Sequence, residues 1–296
     1  MTNFPLKGMG VALVTPFKED KTVDFEALER LLNFHLEADT DFLVVLGTTA
    51  EAMTLSLDEQ NKIVRFVVKH IKDKMPIVVG MGGSDTRALI NLMNSFNFEG
   101  VHSILSVTPY YSRPEQEGLY QHFKALAKNA PLPIVLYNVP SRTGVNMEAT
   151  TTLRLAANCK NIIAIKEAHT DIGQIKKIIA GAPNGFSVLS GEDSLAVKLI
   201  KEGGQGVISV LGNVFPKKFS AVIHLALNGK IEQAEYAFKK MERCTELLFI
   251  NGNPAGVKCA LFLMDKIKNE LRLPLIPAMV ETEAALRQEI KNCLDG

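Results

Sequence analysis

Eight short apolar runs, rich in β-branched residues, punctuate the chain between Met9 and Val210. They read MGVALVT (9–15), FLVVL (42–46), PIVVG (76–80), VHSILSV (101–107), PIVLY (133–137), IIAIK (162–166), FSVLS (186–190) and GVISV (206–210). Runs that are apolar at consecutive rather than alternate positions suit strands covered on both faces. Between them the apolar period becomes helical. Phe25, Leu28, Leu31, Leu32 and Phe34 follow Asp24, an expected N-cap. Ile63, Phe66, Val67 and Ile71 follow Ser56, whose partner Glu59 completes a capping box.

Eight strand–helix alternations predict an α/β fold, a parallel sheet closed as a (β/α)8 TIM barrel over residues 1–228. The alternative, an open doubly wound sheet, takes eight strands less easily. Its glycine signature is also missing, because GMGGSDT (80–86) has neither dinucleotide nor P-loop spacing. After Asn228 the strand pattern stops. Ile231, Ala234, Phe238, Met241 and Leu248 share one helical face, and two more helical stretches follow near 257–267 and 282–294. Residues 229–296 are therefore expected to form a C-terminal helical domain packed on the barrel or on a partner subunit.

Charge narrows the function. With 33 basic and 32 acidic residues and no Trp, the chain offers nucleic acid neither a basic patch nor a stacking platform, and acidic membranes no attraction. Cys159, Cys244, Cys259 and Cys293 form no CxxC pair, and the six histidines have no i, i+4 spacing, so neither a disulfide framework nor a metal site is expected. The N-terminus lacks a leader pattern and no apolar run approaches membrane-spanning length, which together predict a cytoplasmic protein.

In such barrels the strand C-termini carry the chemistry. Here they read GTTAE after the second strand, TPYYSRP after the fourth, YNVPSRTG after the fifth, KEAHT after the sixth and SGED after the seventh. Three of the five tyrosines and one lysine gather there. A strand that runs apolar straight into Lys166 can be a plain strand end meeting water, or a lysine placed at the rim of a core. Enclosure disfavours an ammonium, and the neutral amine attacks carbonyls to give a Schiff base. That chemistry needs a proton shuttle, for which Tyr137 is the nearest candidate, and anion donors, for which the GTT hydroxyls and amides serve.

GTTAE, VTPYYSRPEQEGLYQHF, PIVLYNVPSRTG, IIAIKEA, SGED and GVISV together resemble, in order and over nearly the whole chain, the dihydrodipicolinate synthase (4-hydroxy-tetrahydrodipicolinate synthase) family. The resemblance implies a lyase of lysine and diaminopimelate biosynthesis that condenses pyruvate with L-aspartate 4-semialdehyde. Lys166 would form the imine with pyruvate and no other cofactor is implied. Tyr137 would be the general acid/base, with Thr48 and Tyr111 completing a hydroxyl relay. Thr49 would hold the pyruvate carboxylate, the main chain at Ile208 and Gly191 would line the substrate site, and Arg142 would meet the carboxylate of the aldehyde. The family implies a homotetramer of tight dimers, with Tyr111 acting across a subunit boundary.

Rivals on the same barrel are N-acetylneuraminate lyase and the keto-deoxy sugar acid aldolases, which usually carry an uncharged residue at Arg142. A non-catalytic keto-acid-binding barrel is a third reading, disfavoured by the presence of both Lys166 and Tyr137. Two departures from the family stand out. Ala50 replaces a glycine and requires negative φ there. NPAGVK (253–258) replaces NPIPVK, leaving Lys258 free to cap a helix or join an interface. Lysine-inhibited members typically show histidine, asparagine and glutamate where this chain has Gln60, Ser84 and Ala88, which implies weak inhibition or none. Asp85 is the one substitute carboxylate, unless it caps a helix starting at Thr86.

Overall fold

The computed structural model describes residues 6–295. Residues 1–5, where the expected barrel begins, and residue 296, where the expected helical domain ends, lie outside them. Eight parallel strands close into a barrel in sequence order: β1 (Gly8–Ala12), β2 (Phe42–Val45), β3 (Ile77–Gly80), β4 (Ser103–Val107), β5 (Ile134–Asn138), β6 (Ile162–Glu167), β7 (Ser187–Ser190) and β8 (Gly206–Ser209). Each lies within or beside its expected run, and β8 pairs back onto β1 from Gly8↔Gly206 to Val11↔Ser209.

The continuous apolar runs divide by parity into two cores. Phe42, Val44, Val78, Leu105, Val135, Tyr137, Leu189 and Ile208 fill the barrel interior. Leu43, Val45, Ile77, Val79, Ile104, Leu136, Val188 and Val207 face the surrounding helices. A Cβ at Gly10 would overlap the Phe42 ring, so β1 yields its interior position to that ring.

The caps form as expected. Asp24 accepts from Ala27 N–H, and Ser56 and Glu59 exchange both capping-box bonds at the start of the helix Leu57–Ile71. Asp85 caps the helix Thr86–Ser95.

Past Asn228 the described chain is helical, with helices Ile231–Lys239, Glu242–Ile250, Ala255–Leu263 and Val280–Asp295. The single helical face expected from Ile231 to Leu248 is split. A tight turn, Met241 N–H to Phe238 O, breaks the helix while Ala234, Phe238, Met241 and Leu248 stay buried. These helices share one apolar core with the outside of the barrel. None of the described helices is long and apolar enough to cross a membrane.

Candidate active site

At the C-terminal rim of the strands lies a cavity of about 280 Å3, lined by Thr48, Thr49, Tyr137, Arg142, Lys166 and Gly191 among others. Six of the eight residues picked out from the sequence therefore converge. Lys166 is only 6% exposed and stands in register with Tyr137 on the neighbouring strand. Its Nζ lies 4.5 Å from the centre of the Tyr137 ring.

The lysine owes its direction to a bulge. Ile134 pairs with Ile162 but Val135 pairs with Ala164, leaving Ile163 as an extra residue in β6. Ile162 and Ile165 face the helices, whereas Ile163 and Ala164 both pack toward the interior. Strict alternation from Ile162 would have sent Lys166 outward.

Behind Lys166, on the outer face, Glu167 anchors the neighbouring loop. Its buried carboxyl accepts from Asn138 Nδ2 at 2.9 and 3.1 Å, from Gln174 Nε2 at 3.1 Å and from the His169 N–H at 2.8 Å. Asn138 also donates to Asn146 Oδ1 at 2.8 Å and accepts from Met147 N–H at 2.9 Å. The chain beyond β5, including the single helical turn Pro140–Thr143 that carries Arg142, is fastened by this network.

Glycine at position 191 keeps the wall open, since a Cβ there would stand 2.6 Å from Ala168 Cβ and 3.1 Å from Lys166 Cε. Glu192 also lines the cavity and was not picked out from the sequence. Burial holds its carboxyl above the ordinary value and the neighbouring Asp193 adds to this, against the charges of Lys166 and Arg142. Asp193 turns away to accept from the N–H groups of Val210 and Leu211, at 3.1 and 2.8 Å, tying the loop of β7 to that of β8.

The other two residues lie elsewhere. Ile208 is fully buried in the barrel interior and Val210 lines the cavity instead. Tyr111, at φ 71°, is 95% exposed, so within this chain its hydroxyl joins neither Thr48 nor Tyr137. Among the described residues no group of three His, Cys, Asp or Glu side chains is placed to hold a metal ion.

The GTTAE loop is a short 3-10 turn, Thr48–Ala50, and its left-handed residue is Glu51 at φ 56°, not Ala50. The methyl of Ala50 is accommodated for that reason. Lys258 neither caps a helix nor reaches the surface. It is fully buried and paired with Glu51, whose other oxygen accepts from the Arg272 N–H at 2.9 Å. Burial lowers the Lys258 pKa to about 8, with the Glu51 carboxylate opposing. The sequence signal was a lysine inside an apolar helix, AGVKCALFL.

A second, more open cavity of about 370 Å3 adjoins the first, sharing Gly47, Thr48, Leu105, Tyr137, Arg142 and Asn253 with it. Near it, Gln60 Nε2 donates to the carbonyls of Ala52 and Leu55, and Ser84 Oγ donates to Tyr110 O. Asp85 Oδ1 accepts from the N–H groups of Arg87 and Ala88, so that oxygen is taken up by the helix cap.

A sequence profile of the dihydrodipicolinate synthetase family matches residues 5–293. The chain belongs to that family. A 4-hydroxy-tetrahydrodipicolinate synthase from Azobacteroides pseudotrichonymphae is 53% identical over 98% of both chains. The crystal structure of dihydrodipicolinate synthase from Thermotoga maritima superposes with a TM-score of 0.95 at 41% identity, covering 98% of this chain and 99% of that one. A chloride-inhibited dihydrodipicolinate synthase from Acinetobacter baumannii, solved in complex with pyruvate, gives 0.94 at 39% identity, covering 97% and 98%. Such relatives are aldolase-like lyases, and this chain shares their fold over 97–98% of its length.

The Glu167 network makes a prediction for stability. Burial pushes the Glu167 carboxyl up to about 7 from its ordinary 4.5, against the N–H groups that favour its ionised form. Across that window the folded chain binds the proton more tightly than the unfolded one, so the group's contribution to stability falls as pH rises. The fall is on the order of 3 kcal/mol in all. Glu167→Gln does not titrate. Its urea midpoint will therefore gain on that of the parent chain between about pH 5 and pH 8. A difference that stays constant over this range would show that Glu167 titrates normally.

Proposed function

We propose that this chain condenses pyruvate with L-aspartate 4-semialdehyde to 4-hydroxy-tetrahydrodipicolinate, through an imine on Lys166. The observation that carries this reading is the inward Lys166, in register with Tyr137 and sharing one cavity with Arg142. The Lys166 amine attacks the pyruvate carbonyl, water leaves, and the imine draws electrons from the methyl carbon. Loss of a methyl proton gives an enamine, which attacks the aldehyde carbon. The amine of the second substrate then displaces Lys166 and closes the ring. Tyr137 moves the protons, Thr49 holds the pyruvate carboxylate and Arg142 that of the aldehyde. The imine is the electron sink, so the reading assigns no cofactor.

Two arms of one experiment test it. Borohydride with pyruvate should add a stable mass to the peptide containing Lys166. In Arg142→Ala that mass should persist while kcat/KM for the aldehyde falls about 10- to 150-fold, as expected for a lost charged hydrogen bond. Label elsewhere, or cleavage of sialic acid in place of the condensation, would overturn the assignment.

The exposed Tyr111 fits a role in a neighbouring subunit's site within a dimer that pairs again into a tetramer. Mixed chains of Lys166→Ala and Tyr111→Phe should then recover part of the activity that neither shows alone. Mixed dimers that form without recovery would return Tyr111 to its own subunit.

With Asp85 Oδ1 taken up by its cap and Ala88 offering no acceptor, lysine lacks the carboxylate that a glutamate at position 88 would supply to its ammonium groups. Initial rates at saturating substrates should therefore hardly respond to millimolar lysine. Strong inhibition that vanishes in Asp85→Ala would reverse this conclusion.

A further inference from the structure

The helical segment after the barrel grips the GTTAE turn at both ends. At one end the buried Asn253 donates from Nδ2 to Thr49 Oγ1 at 2.9 Å. At the other, Lys258 pairs with Glu51 and also donates to Glu270 O at 2.8 Å, while the Arg272 N–H reaches the same Glu51 carboxylate. Arg272 continues outward to Glu59 and to Thr54 O, so the turn, the helix behind it and the appendage form one connected unit.

The Asn253 contact has a chemical direction. A hydroxyl oxygen that accepts from an amide N–H keeps its own hydrogen, which must then point elsewhere. Thr49 is buried and lines the cavity, and so does Asn253. We propose that Asn253 is a positioning residue for keto-acid recognition: by donating to Thr49 Oγ1 it makes the Thr49 hydroxyl a donor aimed at the keto-acid carboxylate. The proposal rests on the reading of Thr49 given above. It also gives the segment after residue 228 a part in substrate recognition, beyond covering the barrel.

The amide and carboxylate side chains have nearly the same shape and opposite polarity, which makes them the decisive comparison. Asn253→Ala removes one neutral hydrogen bond and should raise the KM for pyruvate about 2- to 10-fold. Asn253→Asp should raise it well beyond the alanine variant, because the carboxylate takes the Thr49 hydrogen for itself and repels an incoming anion. The KM for the aldehyde should change less than about 2-fold in both, as Arg142 is untouched. A packing role demands the opposite order, with the isosteric aspartate milder than alanine. In a Thr49→Val background the Asn253→Ala penalty should disappear, since the group it acts through is gone, and of the Asn253→Asp penalty only the charge repulsion should remain. Should Asn253→Asp not fold, the Asn253→Ala and Thr49→Val cycle still decides: full additivity overturns the proposal, and a double variant no worse than Thr49→Val alone supports it. Failure of the parent chain to form a reducible pyruvate imine at Lys166 would sink the functional reading and this proposal together. An intact imine with aspartate no worse than alanine would sink the proposal alone.

Discussion

One extra residue in β6 decides whether Lys166 faces the barrel interior or the surrounding helices. Side chains of a strand alternate between the barrel interior and the helices, so a lysine's face is set by counting from any fixed point. Counted from Ile162, which faces the helices, Lys166 falls outside, in a layer filled with aliphatic side chains. The bulge at Ile163 shifts the count by one. Ala164 and Lys166 turn inward, Ile165 and Glu167 outward, and the register then brings Tyr137 beside Lys166 and Asn138 beside Glu167. The same shift thus supplies both the inward lysine and the outward carboxyl that fastens the Arg142 loop.

The rim around the cavity is held loop to loop. Asn213 bridges β8 to β1, accepting from Val14 N–H and donating to Ala12 O. Asp193 joins the loops of β7 and β8, Glu167 those of β5 and β6, and Ser84 those of β3 and β4. The loop of β2 is the exception, because its anchor comes from the helical appendage through Lys258 and Asn253. A fully buried ion pair gives little net stability compared with apolar packing, since both charges leave water. What it does give is direction. A buried carboxylate with defined donors fixes Glu51 in a left-handed conformation that few non-glycine residues adopt, and Thr48 and Thr49 are carried by the same turn.

Charge in the cavity is arranged for anions. Lys166 and Arg142 are its basic side chains, and among the described residues that line it Glu192 is the one carboxyl. An ionised carboxylate there would repel a keto acid at close range, where the low dielectric strengthens every charge interaction. Burial and the adjacent Asp193 both favour the protonated form of Glu192, which eases that conflict. Asp193 is not among the residues that line the cavity, and its Oδ2 accepts from the main chain just past β8. The two acids of SGED are therefore divided between one that lines the cavity and one that holds the loops in place.

How much of this was legible in the sequence depends on the range of the interaction. The strands were legible because burial on both faces leaves an uninterrupted apolar run, and the caps at Asp24, Ser56 and Asp85 because they act over three residues. Six of the eight residues picked out from the sequence line one cavity because a closed parallel barrel brings every strand end to one rim. The bulge was not legible, since IIAIK looks the same with or without it. Nor was the break after Lys239, where the buried face continues through the turn and its period hides the interruption. Lys258 and Asn253 escaped for a different reason. Their partners, Glu51 and Thr49, lie 207 and 204 residues away. No local pattern encodes such a distance, yet a lysine amid AGVKCALFL carried the hint, because a charge placed in an apolar helix must find its partner in space.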